Sequence, residues 1–351
     1  MRKPSENRIR AIDQWGRIFG LLASSREWPG YESGLTVEEF THFNSLMDAH
    51  IHHNGWFTRN NIEKALFAWS NELRAHRLQE WLNRYPLNNL GSPRKVGVIC
   101  AGNLPLVGLH DVLSVLLSGH KAFIKLSSDD NLLMPALLNL LLKMDDTFAD
   151  QVLFADGKMN DMDAVIATGS NNTSRYFEQY FGHIPHIIRK SRTSAAILSG
   201  TETDGELEAL GHDVFDYFGL GCRNVSKIYL PEGFDLDRLF NAFFSFREII
   251  NHHKYANNYD YNKAVWLLNR ESLLDNGFIL FKEDKALASP TASIYYEFYK
   301  DDKQLRNELK LRESEIQCIV SSSDIPFGQS QQPALWDYAD AVDTMSFLTS
   351  I

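Results

Sequence analysis

A parallel α/β fold preceded by a helical region is predicted for this 351-residue chain by three observations. Helical periodicity alone fills residues 1 to about 90, short apolar runs then alternate with helices from Lys95 to Ala167, and a second mixed stretch follows from Thr193 to Ser323. Such β-α-β alternation implies a parallel sheet with right-handed crossovers and ligand sites at the carboxyl ends of the strands.

Thr36-Val37-Glu38-Glu39 has the form of a capping box, and Phe40, Phe43, Met47 and Ile51 follow at helical spacing. A longer helix is predicted from about Asn61 to Arg84; its stripe of Ile62, Leu66, Trp69, Leu73 and Trp81 reads as core rather than as a cofactor face. Pro86, Asn88, Asn89, Gly91 and Pro93 mark a loop. Strands are then expected at Lys95–Cys100, Ala122–Leu126, Gln151–Phe154 and Asp163–Ala167, with helices at Leu106–Leu117 and Leu132–Met144. Polar residues fall where the strands end: Asn103, then Ser127 and Ser128, then Gly169 and Ser170. Three segments result, residues 1–192 with the N-terminal helices and the first sheet, 193–325 with the second, and a tail, 326–351, that packs back on the body or on a partner.

Composition narrows the function. A formal charge of −10 without a Lys/Arg block excludes a nucleic-acid footprint. Cys100, Cys222 and Cys318 are odd in number and far apart, which fits a reduced, cytoplasmic protein, and no zinc spacing is present, so no metal is expected. The charged start Met1-Arg2-Lys3-Pro4-Ser5-Glu6 leads into no apolar segment of the kind a signal peptide needs. The longest apolar run, Leu132 to Leu142, is about half the ~20 residues of a membrane span.

The chemistry centres on Phe218-Gly219-Leu220-Gly221-Cys222-Arg223-Asn224, a cysteine between glycines just ahead of the strand-like run Val225–Leu230. Glycines there open turn conformations that present a thiol at close range, the setting of a nucleophile. A cysteine is as often a small buried hydrophobe, and the motif alone leaves the two readings level.

Four segments in order resemble the aldehyde dehydrogenase superfamily: Val96 to Leu106 with Asn103 before Leu104-Pro105, then Lys125-Leu126-Ser127-Ser128, Ala167-Thr168-Gly169-Ser170, and Gly219-Leu220-Gly221-Cys222. Within it, the cysteine context, the run His252–Tyr261 and the closing Trp336-Asp337-Tyr338-Ala339-Asp340 are similar to the bioluminescence-type fatty acyl-CoA reductases, over roughly residues 95 to 351. The resemblance implies an aldehyde-dehydrogenase-like fold, with a Rossmann-like cofactor domain and a second α/β catalytic domain. It makes Cys222 the nucleophile, and Asn103 the amide that stabilises the oxyanion together with the cysteine N–H; losing one such donor costs about 3 to 4 kcal/mol of barrier. Lys125 would meet the adenosine ribose and Gly169 and Ser170 the pyrophosphate, with Ser127 and Thr168 also among the cofactor-binding residues. Each has a plainer reading beside it: a turn residue for Asn103, a solvated lysine for Lys125, a helix cap for Gly169 and Ser170.

Departures from the pattern matter too. Ser128 stands where the family has an acidic ribose acceptor, which removes repulsion against a 2′-phosphate and implies NADPH, with NADH also possible. The glutamate that activates water about 34 residues before the cysteine is replaced by the neighbourhood Ile187-Ile188-Arg189-Lys190, so the acyl group should pass between thiols, with CoA as leaving group. The glutamate that holds the nicotinamide ribose is likewise missing near Ala288-Ser289-Pro290. His252 and His253 invite a general-base role but look more like an interface or a CoA-phosphate contact, and Tyr255, Tyr259, Tyr261, Tyr295, Tyr296 and Tyr299 line an acyl tunnel or simply pack a core.

The implied activity is NAD(P)H-dependent reduction of an acyl thioester, acyl-CoA and fatty by resemblance, to the aldehyde through a Cys222 thioester. Alternatives are a CoA-independent or semialdehyde dehydrogenase on the same fold, or a non-redox acyl carrier of a multienzyme complex. A homo-oligomer is expected, with an acyl-activating enzyme as partner.

Overall fold

The computed structural model describes residues 4–89, 91–155, 157 and 159–351; Met1–Lys3, part of the charged start noted above, lie outside the described residues. Contacts divide the chain into two units, Met1–Lys190 with Ala334–Ile351, and Ser191–Pro333.

Four helices open the first unit. In α1 (Glu6–Ser24) the Ser5 side chain accepts from the Arg8 N–H, and Ile12, Trp15, Ile18, Phe19 and Leu22 are wholly buried. α2 (Val37–Ala49) starts at the Thr36 capping box, with both reciprocal bonds to Glu39 formed. Its apolar stripe stops at Met47; Ile51 falls in the 3-10 turn His50–His52 and is exposed, against expectation. The long helix expected over 61–84 is two helices, α3 (Arg59–Glu72) and α4 (Ala75–Leu82). Arg74 takes an extended conformation, and the freed Ala75 N–H donates to Asp13 Oδ1 at 2.9 Å, so a carboxylate of α1 caps the second helix. A side chain at Gly16 would put its Cβ 2.6 Å from Leu73 Cβ, so glycine is what lets α1 lie against the end of α3.

The first sheet is wholly parallel. Its strands are β1 (Lys95–Ile99), β2 (Lys121–Lys125), β3 (Val152–Phe154), β4 (Ala164–Thr168) and β5 (His186–Arg189), ordered β3-β2-β1-β4-β5. Sequence reading gave no strand to β5, whose four residues are too few to show periodicity. Helices α5 (Leu109–Leu117), α6 (Leu133–Met144) and α7 (Asn171–Phe181) follow β1, β2 and β4. α5 starts three residues later than expected because Leu106 sits at φ 60°, outside the helical region. The Trp15 indole N–H donates to the Leu137 carbonyl at 2.8 Å and ties α1 to α6.

In the second unit, β6 (Thr193–Ile197), α8 (Asp204–Phe215), β7 (Val225–Pro231), α9 (Asp237–Phe243) and α10 (His253–Leu268) precede β8 (Leu274–Asp275), β9 (Leu280–Glu283), β10 (Ser293–Tyr299), α11 (Asp302–Leu311) and β11 (Ile316–Val320). Strand order is β11-β6-β7-β10-β9-β8, parallel except for the antiparallel β8–β9 pair. Ile228, Leu230, Leu239, Phe243, Phe281 and Ile294 are fully buried between sheet and helices. Of the tyrosine run, Tyr255 and Tyr259 are core residues while Tyr261 is exposed, the disposition of ordinary packing rather than of a tunnel wall.

The chain then returns to the first unit and ends in α12 (Thr344–Ser350). A relay fastens it there: the Trp81 indole N–H donates to Tyr338 Oη at 2.7 Å, Tyr338 Oη lies 2.7 Å from Tyr85 Oη, and Tyr85 donates to Asp343 Oδ2 at 3.0 Å. His120 Nε2 meets the Leu348 carbonyl at 2.8 Å. Among the described residues no helix is long and apolar enough to cross a membrane.

Tyr338→Phe strands the buried Trp81 N–H. It should lower the unfolding free energy of the first unit by about 1–3 kcal/mol, read as a shifted urea midpoint; an unchanged midpoint would exclude a stabilising relay.

Candidate functional site

Three sequence-predicted segments follow β1, β2 and β4, neighbouring parallel strands, and therefore share one edge of the first sheet. Asn103 lies exposed in the loop between β1 and α5. That loop folds back on its own strand: a Cβ on Gly108 would come 2.3 Å from Cys100 Sγ. Cys100 itself is buried, which pushes its thiol far up from the ordinary value, so it is no nucleophile.

Lys125 is exposed at the end of β2, and Ser127 Oγ accepts from the Asp129 N–H at 3.2 Å. Thr168 closes β4 in register with Arg189. A Cβ at Gly169 would stand 3.0 Å from Phe177 Cε2 and 3.1 Å from Thr173 Cβ, so glycine lets α7 begin directly against β4. Ser170 is its N-cap, Oγ accepting from the Thr173 N–H at 3.2 Å. The plainer cap reading of Ser170 is thus realised, and it leaves the other amides of the first turn of an 11-residue helix for an anion. A dinucleotide fits this edge chemically: an exposed cation ends β2, a side-chain-free residue and a helix N-terminus follow β4, the two strands flank β1, and the exposed Ser128 brings no carboxylate.

Arg189, in the neighbourhood where the resemblance would place a water-activating glutamate, is turned into the interior. It is 4% exposed; Nη1 donates to Asp111 Oδ2 at 2.5 Å and Nη2 to Thr344 Oγ1 at 2.8 Å. It is spent on an interior ion pair with α5 and a hydrogen bond to α12.

Cys222 is exposed, in a turn that precedes β7. It therefore departs from the expectation that ligand-facing residues follow their strands. The turn is built by residues that the sequence reading passed over. Asn224, 2% exposed, accepts from the Gly221 N–H at 2.8 Å, while its Nδ2 donates to the carbonyls of Asp216 at 2.8 Å and Asp213 at 3.1 Å. Buried Ser194 donates to the Cys222 carbonyl at 2.9 Å and lies 3.0 Å from Cys318 Sγ. Just upstream, Tyr217, Phe218 and Gly219 all have positive φ, 53°, 60° and 74°, costly for the two aromatics. An asparagine three residues after a glycine was the readable signal for this turn. His252 caps α10, its Nδ1 accepting from the Tyr255 N–H at 3.4 Å, and stacks on Phe218 with centroids 4.2 Å apart. That is a scaffold role; His253 is an exposed first-turn residue. No group of three or more His, Cys, Asp or Glu among the described residues is placed to hold a metal.

A model of the family described as "Acyl-CoA reductase (LuxC)" matches residues 30–235, more than half of the chain, a span that contains Asn103, Lys125, Ser127, Thr168, Gly169, Ser170 and Cys222. The chain is similar to a long-chain acyl-protein thioester reductase of Aliivibrio fischeri, 26% identical over 243 residues that cover 62% of this chain and 50% of that protein. It is also similar to long-chain acyl-protein thioester reductase 2 of Photobacterium leiognathi, at 24% over 217 residues, 56% of this chain and 45% of that protein. It spans about half the length of the curated relatives it matches. Among solved structures, an aldehyde dehydrogenase of Mycobacterium tuberculosis complexed with NAD+ superposes with TM-score 0.61 at 15% identity, over 94% of this chain and 76% of that one. A putative aldehyde dehydrogenase from Anabaena variabilis does so with TM-score 0.59 at 14% identity, over 93% and 81%. These establish the aldehyde-dehydrogenase-like fold.

Two measurements test the thiol turn. Iodoacetamide on the folded protein should label Cys222 and leave Cys100 untouched; labelling of Cys100 at a comparable rate would contradict its burial. Asn224→Ala removes the amide that satisfies buried carbonyls and should cost about 3 kcal/mol of stability in thermal or urea unfolding, whereas a loss within experimental error would show that the turn is held otherwise.

Proposed function

The chain belongs to the acyl-CoA reductase (LuxC) family, and on that premise we propose that it reduces a long-chain acyl thioester to the aldehyde through a covalent thioester on Cys222. The observation that carries the reading is the exposure of Cys222 on a turn built to present it, inside the segment that the family matches.

Cys222 attacks the acyl carbonyl as thiolate, the carbonyl oxygen takes up negative charge, and as the carbonyl re-forms the donor's C–S bond breaks and the donor leaves as a thiolate that takes a proton from solvent. Asn103 and the Cys222 N–H stabilise that oxygen, a contribution worth about 3 to 4 kcal/mol per donor. When bound, a reduced nicotinamide supplies the hydride that turns the thioester into a thiohemiacetal on Cys222, which collapses to aldehyde and thiol. Lys125 and Ser127 hold the adenosine end of the dinucleotide, and Thr168, Gly169 and Ser170 its pyrophosphate. Ser128 supports NADPH over NADH, because no carboxylate opposes a 2′-phosphate there.

With Arg189 locked to Asp111, no base stands at that position to hydrolyse the intermediate, which favours exchange between thiols over acid formation. CoA is the donor thiol expected from sequence; the relatives' names, acyl-protein thioester reductases, favour a thiol carried by a partner protein. The three cysteines, none of them in a disulfide, suit a reducing compartment such as the cytoplasm.

Cys222→Ala should abolish both acyl-enzyme formation, followed by mass spectrometry with acyl-CoA and acyl-protein donors, and NADPH oxidation. Residual turnover within tenfold of wild type would refute the nucleophile assignment, and CoA-independent acid production from an aldehyde would point to the dehydrogenase reading instead.

A further inference from the structure

The loop that carries Asn103 and the loop that carries Ser127 follow different strands, yet they are bound to each other and to the N-terminal helical region. Buried Asp130, 2% exposed, accepts the Leu106 N–H through Oδ2 at 2.9 Å. Leu106 is the residue whose positive φ turns the Asn103 loop into α5, so the carboxylate holds the loop at its bend. The Asp130 N–H in turn donates to the Ser127 carbonyl at 3.2 Å. Asn54, 7% exposed, comes from the segment between α2 and α3; its Nδ2 donates to the Gly102 carbonyl at 3.3 Å and reaches the Asp129 carbonyl at 3.5 Å. Its Oδ1 accepts from the Trp56 N–H at 3.0 Å, which fixes the amide in that orientation. Behind them the fully buried His50 sets Nε2 3.7 Å from Asp130 Oδ1. The two loops also touch: a Cβ on Gly102 would lie 2.5 Å from Ser127 Oγ and 2.9 Å from Asp129 Cβ.

We propose that Asn54 and Asp130 are positioning residues that clamp the Asn103 loop to the Ser127 loop, so that the oxyanion amide and the adenosine contact are set as one rigid edge by the N-terminal helices. This rests on the reading of Asn103 and Cys222 given above. A free Asn103 loop would swing on Leu106, and a displacement of about 1 Å at such a donor can cost 10²-fold in rate. A buried carboxylate accepting a backbone N–H is also the stronger kind of hydrogen bond, suited to holding strained backbone.

The test is a double-mutant cycle read on the rate of Cys222 acylation by a long-chain acyl-CoA and, separately, on NADPH affinity by fluorescence, with the thermal midpoint of each variant recorded. Asn103→Ala should slow acylation about 10²-fold and leave NADPH affinity unchanged. Asn54→Ala and the isosteric Asp130→Asn should each slow acylation about tenfold and weaken NADPH several-fold, yet slow it no further in the Asn103→Ala background. Equal slowing in both backgrounds, or normal acylation and NADPH affinity in Asn54→Ala, overturns the clamp while the assignment of Asn103 stands. Failure of Asn103→Ala to slow acylation overturns the oxyanion assignment and the clamp with it, while loss of acylation in Cys222→Ala alone keeps the nucleophile. Should Asp130→Asn not fold, Asn54→Ala, whose residue caps no helix and fills no core, decides the question.

Discussion

The reversal of strand order at β1 is the constraint on which the first unit depends. From β1 the chain steps outward through β2 to β3, then crosses back to lay β4 on the other flank. Loops leaving β1 and β4 must diverge there, and the exposed edge between them is created by topology before any side chain is chosen. The named residues exploit that opening in different ways. Asn103 stands in the loop that bends away, Gly169 lets α7 start flush with its strand, and Lys125 extends the edge along β2.

Much of this was legible in the sequence because parallel strands buried on both faces read as short apolar runs, and β1 to β4 were each located to within a residue or two, though β5 was not. The capping box at Thr36 was equally readable, since its chemistry is local. What escaped was set by partners distant in sequence. The break between α3 and α4 depends on Asp13 and Gly16 in α1, and the late start of α5 on Asp130, twenty-four positions downstream of Leu106. The resemblance covered only residues from about 95 onward, yet Asn54 reaches the Asn103 and Ser127 loops and His50 lies against Asp130 from the helical first quarter. A polar residue whose partners are backbone carbonyls elsewhere leaves no pattern to find.

The second unit shows another economy. The thiol turn is not braced by regular structure; one asparagine and one serine, both buried, satisfy the carbonyls around it. Local backbone cost at Tyr217 and Phe218 is tolerated because the Phe218 ring stacks on His252 and Tyr217 is buried. His252, one of the pair that invited a general-base role, therefore serves the shape of the loop. Arg189 is another polar residue used for cohesion, buried and bonded to Asp111 and Thr344.

The discontinuity of the first unit bears on how the polypeptide emerges from the ribosome. Residues 191–333 form an insertion that contains all the strands of its own sheet, so it can mature while its host is still open. The host cannot finish until Tyr338, Thr344 and Leu348 arrive to meet Trp81, Arg189 and His120. The helices laid down first meet α6 before the insertion is made, so what waits through the making of the second body is the seam that these late residues close.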